Sequence, residues 1–125
     1  MLNLFGKVLM EYVRDITIHQ MDSMVEGKIK TADSKEVNKL YETFTTEQKE
    51  WVAQLIERTT DTALHYLLFM LDQCENIDVL VSETAEDKSQ QINMREASDG
   101  LCGELYSDEG WIQKYSNERY LYEGE

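Results

Sequence analysis

A chain of 125 residues with 12 Lys+Arg against 25 Asp+Glu, a formal net charge of −13, makes nucleic acid and anionic membrane poor direct partners, because its surface repels phosphate. Its 42% hydrophobic share is enough for a core, which argues against wholesale disorder, and the length predicts one α+β domain over residues 1–125. Two cysteines, Cys74 and Cys102, form no disulfide framework, and neither a signal-like leader nor an apolar run of membrane-spanning length is present, so the chain reads as a cytoplasmic protein with free thiols.

From Asn3 to about Val25 the spacing predicts an amphipathic helix. Phe5, Leu9, Tyr12, Ile16 and Met24 form its inward stripe, with Val8 and Val13 widening it. Asn3 is the expected N-cap and Gly27 the expected stop. Asp33 with Glu36 suggests a capping-box variant for a short second helix ending near Phe44. Thr45 with Gln48 is a second capping box, opening a long third helix to about Cys74. Val52, Ile56, Thr59, Ala63, Leu67, Met70 and Cys74 lie on one face of it, which predicts the core side. No proline interrupts any of these elements.

Beyond Asn76 the rhythm turns to period two. Ile77–Val81 and Gln91–Met94 are expected to pair across a polar loop. Leu101–Tyr106 and Trp111–Tyr115, separated by Ser107-Asp108-Glu109-Gly110, suggest a C-terminal β-hairpin with Gly110 at positive φ. The expected architecture is therefore α+β: three N-terminal helices, the third long and central, over residues 1–75, then a small antiparallel sheet over 76–116. Residues 117–125 are expected to form a mobile tail.

The charge is unevenly placed. Residues 1–71 hold 11 acids and 8 bases, a net of −3, whereas residues 72–125 hold 14 acids and 4 bases, a net of −10. The strand-rich part thus carries most of the field.

No catalytic motif emerges. Asp15 with His19 and Asp61 with His65 each put a carboxylate one helical turn from an imidazole, and the two pairs together are the weak candidate for a divalent-metal site. His65 is predicted to face away from the core stripe, beside Asp61 and Asp72, which argues against it. Cys102 lies between Gly100 and Gly103, but the adjacent Asp99 and Glu104 oppose a thiolate nucleophile. Phosphate-binding glycine loops are absent, and no cofactor is implied.

A binding surface is the remaining reading. Asp99, Glu104, Asp108 and Glu109 are interleaved with Tyr106, Trp111 and Tyr115, a mixture of aromatic anchors and charged rim. With Cys102, Glu104 and Tyr106 on one strand face, Leu101 and Leu105 take the other and pack on the helices. In general character the chain resembles small bacterial immunity proteins, although no motif matches residue by residue. The expected function is an acidic protein-binding domain, of inhibitor or immunity type, that neutralises a basic partner such as a nuclease toxin. Two alternatives are a metal enzyme using the Asp/His pairs and a homo-oligomeric structural or regulatory domain. In the last, Leu64, Leu68 and Phe69, lying off the main stripe, are covered by the sheet or by a second subunit, so the protein is a monomer or a homodimer.

Overall fold

A computed structural model describes residues 1–121, and Tyr122 to Glu125, part of the expected tail, lie outside the described residues. The fold is mostly helical with one small antiparallel sheet, an α+β arrangement. It begins with α1 (Leu2–Leu9), a π-helical turn (Met10–Arg14) and α2 (Asp15–Val25), which run on as one long helix. The long helix is followed by α3 (Ala32–Tyr41) and α4 (Thr46–Gln73). Strands β1 (Leu80–Ser82) and β2 (Gln91–Asn93) come next, then α5 (Met94–Ala97), a 3₁₀ segment (Leu101–Leu105) and α6 (Trp111–Tyr115).

The first long helix ends where the sequence predicts. Gly27 adopts φ +79, its N–H donates to Met24 O at 3.2 Å, and Lys28 N–H donates to Ser23 O at 2.9 Å, the paired bonds of a Schellman stop. Its inward face differs from the predicted stripe. In the π turn the Asp15 N–H reaches back five residues to Met10 O, which shifts the helix's phase. Leu9, Met10, Arg14, Ile18 and Val25 are buried, while Tyr12 and Ile16 stand in solvent. At the N-terminus Met1, not Asn3, takes the cap position, without a side-chain bond.

Thr31 caps α3, its hydroxyl accepting from Ser34 N–H at 3.3 Å, in place of the predicted Asp33 box. The Thr45–Gln48 box is present in both directions: Gln48 N–H donates to Thr45 Oγ1 at 3.1 Å and Thr45 N–H donates to Gln48 Oε1 at 2.8 Å. Helix α4 is turned by roughly 100° from the expectation, and Val52, Ile56, Met70 and Cys74 of the predicted stripe are half-buried. Its buried residues are Glu57, Thr60, Asp61, Leu64, Leu68 and Leu71, whereas Thr59, Ala63 and Leu67 of the predicted core stripe are exposed. Polar side chains hold the N-terminal half of that buried face, and an apolar count cannot see them.

Strands β1 and β2 pair antiparallel as expected, Val81 opposite Ile92. The predicted C-terminal hairpin is absent. Leu101 and Leu105 do face inward, but on a 3₁₀ turn, and Trp111 and Ile112 are buried on α6. A spacing of four residues suits a helical turn as well as a strand face, and nothing else in the segment separates the two. Gly110 has φ −74, and the positive φ belongs to Ser107. Glycine is needed at 110 for room, since a Cβ there would collide with the Tyr106 carbonyl oxygen.

The core gathers Leu9, Met10, Leu64, Leu68, Leu71, Met94, Leu101, Leu105, Trp111 and Ile112. Phe5 meets Trp111 edge-on, with ring centroids 5.7 Å apart. Two side chains lock the C-terminal half to α4. Asp72 accepts from Leu101 N–H at 3.0 Å, and Arg95 donates to the carbonyls of Leu71, Cys74 and Ile77 and to Asp78. A cation on the last carbonyls of α4 satisfies orphan acceptors and complements the helix dipole.

Candidate functional site

Arg14, in the π turn, lies completely buried and is met by an acid pair one turn apart on α4. Its Nε donates to Asp61 Oδ1 at 2.6 Å, and its Nη2 donates to Asp61 Oδ2 at 3.1 Å and to Glu57 Oε1 at 3.2 Å. Nη1 donates to Ser116 Oγ at 2.7 Å and to Glu118 O at 3.3 Å, and Nη2 also reaches Arg119 O at 2.8 Å. Every nitrogen of the guanidinium is engaged by the chain's own groups, so the cluster holds the fold together and offers no free fork to an outside anion.

Residues 117–121, expected to be mobile, form instead, together with Ser116, a strap over this cluster. Asp15 accepts from Ser116 Oγ at 2.5 Å and from Asn117 N–H at 3.0 Å. Arg119 grips Asp22 through both terminal nitrogens, at 2.8 and 3.0 Å, and donates to Ala53 O. The Asp22 contact raises the Arg119 guanidinium above its ordinary value. Leu121 N–H closes the strap on Glu57 Oε1 at 3.4 Å. Burial, and then the neighbouring Asp61, push the Glu57 carboxyl up to about 7, against the opposing pull of Leu121 N–H and Arg14. Glu57 Oε2 is buried with no hydrogen-bond partner among the described residues.

Beside it, the Tyr106 hydroxyl stands 2.8 Å from His65 Nδ1. Burial and the nearby Asp61 push the Tyr106 phenol up to about 12, so it stays neutral at physiological pH. His65 therefore sits toward the packed side of α4, contrary to the prediction that it faces away.

The predicted metal residues do not converge. Asp61 is committed to Arg14, Asp15 to the strap and His65 to Tyr106, while His19 is exposed on α2. Among the described residues no group of three or more His, Cys, Asp and Glu side chains is placed to hold a metal ion. None of the described helices is long and apolar enough to cross a membrane.

The residues singled out for partner binding divide in two. Asp99, Asp108 and Glu109 are exposed, and Glu104 is half-buried, 3.1 Å from Ser98 Oγ. The aromatics turn inward: Trp111 is 1% exposed, Tyr106 is half-buried against His65, and Tyr115 is half-buried under Lys114. Other apolar side chains are outside in this part of the chain. Leu80 is 53% exposed and Ile92 41%, on the ribbon whose connecting residues 83–90 are all exposed and include Glu83, Glu86 and Asp87.

The sequence reading missed Arg14 and Glu57. Arg14 sits four residues from both Met10 and Ile18, and Glu57 with Asp61 is an acid pair one turn apart within a long helix. That combination is the signal for a buried ion cluster. No known protein family, no curated protein and no solved structure matches this chain.

Proposed function

We propose that this chain is a protein-binding domain, of the inhibitor or immunity type, whose acidic C-terminal part meets a basic protein partner. The observation that carries this reading is how the charges of residues 72–121 are used. Of the cations there, Arg95 is spent on the end of α4 and Asp78, and Arg119 on Asp22 and Ala53. Lys88 and Lys114 alone face outward against Glu83, Glu86, Asp87, Glu96, Asp99, Asp108 and Glu109. Such a surface speeds encounter with a cationic protein and repels anionic ones. The exposed Leu80, on the ribbon face opposite the core-packed Val81, supplies the apolar contact that holds a steered complex, the part first assigned to the hairpin aromatics.

Capture from a lysate of the source cell, at low and at high salt, tests the proposal. It predicts one basic protein retained in stoichiometric amount, less well as salt rises. With that protein in hand, D99K/D108K/E109K should lower the association rate about 10-fold, and L80A should mainly raise the dissociation rate. Retention of no basic protein at low salt, or unaltered association by the charge-reversed variant, would overturn it.

A further inference from the structure

The outward face of α4 carries a row of large apolar side chains with no covering element among the described residues. Trp51 is 57% exposed, Leu55 62%, Tyr66 62% and Phe69 44%, with Arg58, Thr59 and Thr62 exposed between them. At 100° per residue these seven positions fall within one stripe, opposite the buried face formed by Glu57, Leu64, Leu68 and Leu71. The stripe spans roughly 27 Å at 1.5 Å per residue.

Two properties of the stripe say what covers it. The first is charge. In a chain of net charge −13, residues 51–69 contain two acids, Glu57 and Asp61, and both are turned inward onto Arg14. Arg58 is the one exposed Lys, Arg, Asp or Glu of that stretch. A basic partner would be drawn to the acidic regions elsewhere on the chain. By contrast, another strongly acidic molecule can approach this stripe without placing acid on acid. Depletion of charge around Trp, Tyr and Arg is also the composition of an interface centre.

The second property is order. Read from either end, the stripe runs aromatic, large apolar or aromatic, three polar positions, large apolar or aromatic, aromatic. Two copies laid antiparallel place Trp51 opposite Phe69 of the second copy, Leu55 opposite Tyr66, and Arg58 and Thr59 opposite Thr62. This is the self-complementarity of a two-fold interface, and the smaller threonines at its centre let the helices approach. The four large side chains expose roughly 500 Å² per copy, so a pair buries about 1,000 Å² before flanking residues are counted, the lower bound of a specific interface.

From these observations we infer that α4 is the dimerisation helix of this protein, joining two copies antiparallel through Trp51, Leu55, Tyr66 and Phe69. Leu64 and Leu68, the helix positions first considered for such a contact, belong to the core instead. The inference is independent of the basic partner, since the stripe shares no residue with the acids and Leu80 on which that reading rests.

Sedimentation equilibrium on the full chain reads the association directly. The expected result is a reversible dimer in the micromolar range, weakened at least ~100-fold in L55K/Y66K. Both changes are at exposed positions, and an unaltered far-UV CD spectrum and thermal midpoint at low protein concentration establish that the variant folds. Geometry is read by cross-linking in a C74S/C102S background. L55C protein mixed with Y66C protein should form a disulfide dimer in preference to either alone. A wild-type chain that stays monomeric at about 100 μM would overturn the inference. So would a dimer unaffected by L55K/Y66K, or preferential L55C self-pairing.

Discussion

Arg14 Nε lies 2.6 Å from Asp61 Oδ1 although the two residues are 47 positions apart, and the second fork, Nη2 to Oδ2 at 3.1 Å, makes the contact bidentate. The same guanidinium also holds the strap at Ser116, Glu118 and Arg119. One side chain thus ties the first long helix, α4 and the C-terminal residues together. Replacing Arg14 by Met removes the counter-charge from two buried carboxylates. The expected loss is about 3–5 kcal/mol of unfolding free energy, measured by urea titration. Adding Glu57→Gln and Asp61→Asn to Arg14→Met should restore a large part of it, because no uncompensated buried charge then remains. A single Arg14→Met with stability within about 0.5 kcal/mol of wild type would show that the cluster contributes little.

Glu57 gives the protein a pH dependence of known sign. Its carboxyl titrates near its ordinary value of 4.5 in the unfolded chain and at about 7 in the folded one. The folded state therefore binds the extra proton between these limits, and the favourable contribution is complete below about 4.5 and lost as pH rises through about 7. Glu57→Gln, which mimics the protonated carboxyl, should be more stable than wild type at pH above 7 and close to it at acidic pH. Thermal midpoints across that range compare the two slopes, and parallel curves would remove Glu57 as their source.

A methyl group added at Gly6 has nowhere to go, since its Cβ would overlap the buried Trp111 indole ring. Gly6→Ala gains up to about 1 kcal/mol in helix propensity. Overpacking should cost about 1–3 kcal/mol or more, so the net change is destabilising. Movement of the indole should also appear as a change in Trp111 emission in a Trp51→Phe background.

Thr45→Ala removes one half of the capping box of α4. The expected cost is about 1 kcal/mol in denaturant midpoint analysis, with no effect on dimerisation, because position 45 precedes the exposed stripe. A larger loss would mean that the first turn of α4 carries tertiary contacts beyond its cap.

The sequence was most readable where a single local rule decides. The Thr45–Gln48 box, the Gly27 stop and the pairing of the two short strands all follow from a few neighbouring residues. It misled where two periods fit the same residues or where burial is polar. Leu101 and Leu105 are inward on a strand and on a helical turn alike. On α4 the apolar residues span most of the circumference, and the buried side is chosen by Glu57 and Asp61 finding Arg14 in another helix. The sequence leaves Trp111 open between the core and the binding surface, because the room made by Gly6 lies more than a hundred residues away in sequence.

The wide turn at Met10–Arg14 sets a phase. Upstream of it Phe5 must meet Trp111, and downstream Ile18 and Val25 must stay buried, so the chain between these points works like a vernier. Five residues of a π turn sweep roughly the angle that four sweep in α-helix, so the turn absorbs one residue without rotating the two ends. Removing one exposed residue there, such as Tyr12, would let the turn relax to ordinary α-helix with both contacts kept, whereas adding one would rotate one end by about 100° relative to the other. Either the indole contact or the burial of α2 would then be lost. The middle of a continuous helix is for this reason tolerant of a one-residue deletion and as intolerant of an insertion as a tight loop, although no glycine or proline there marks it.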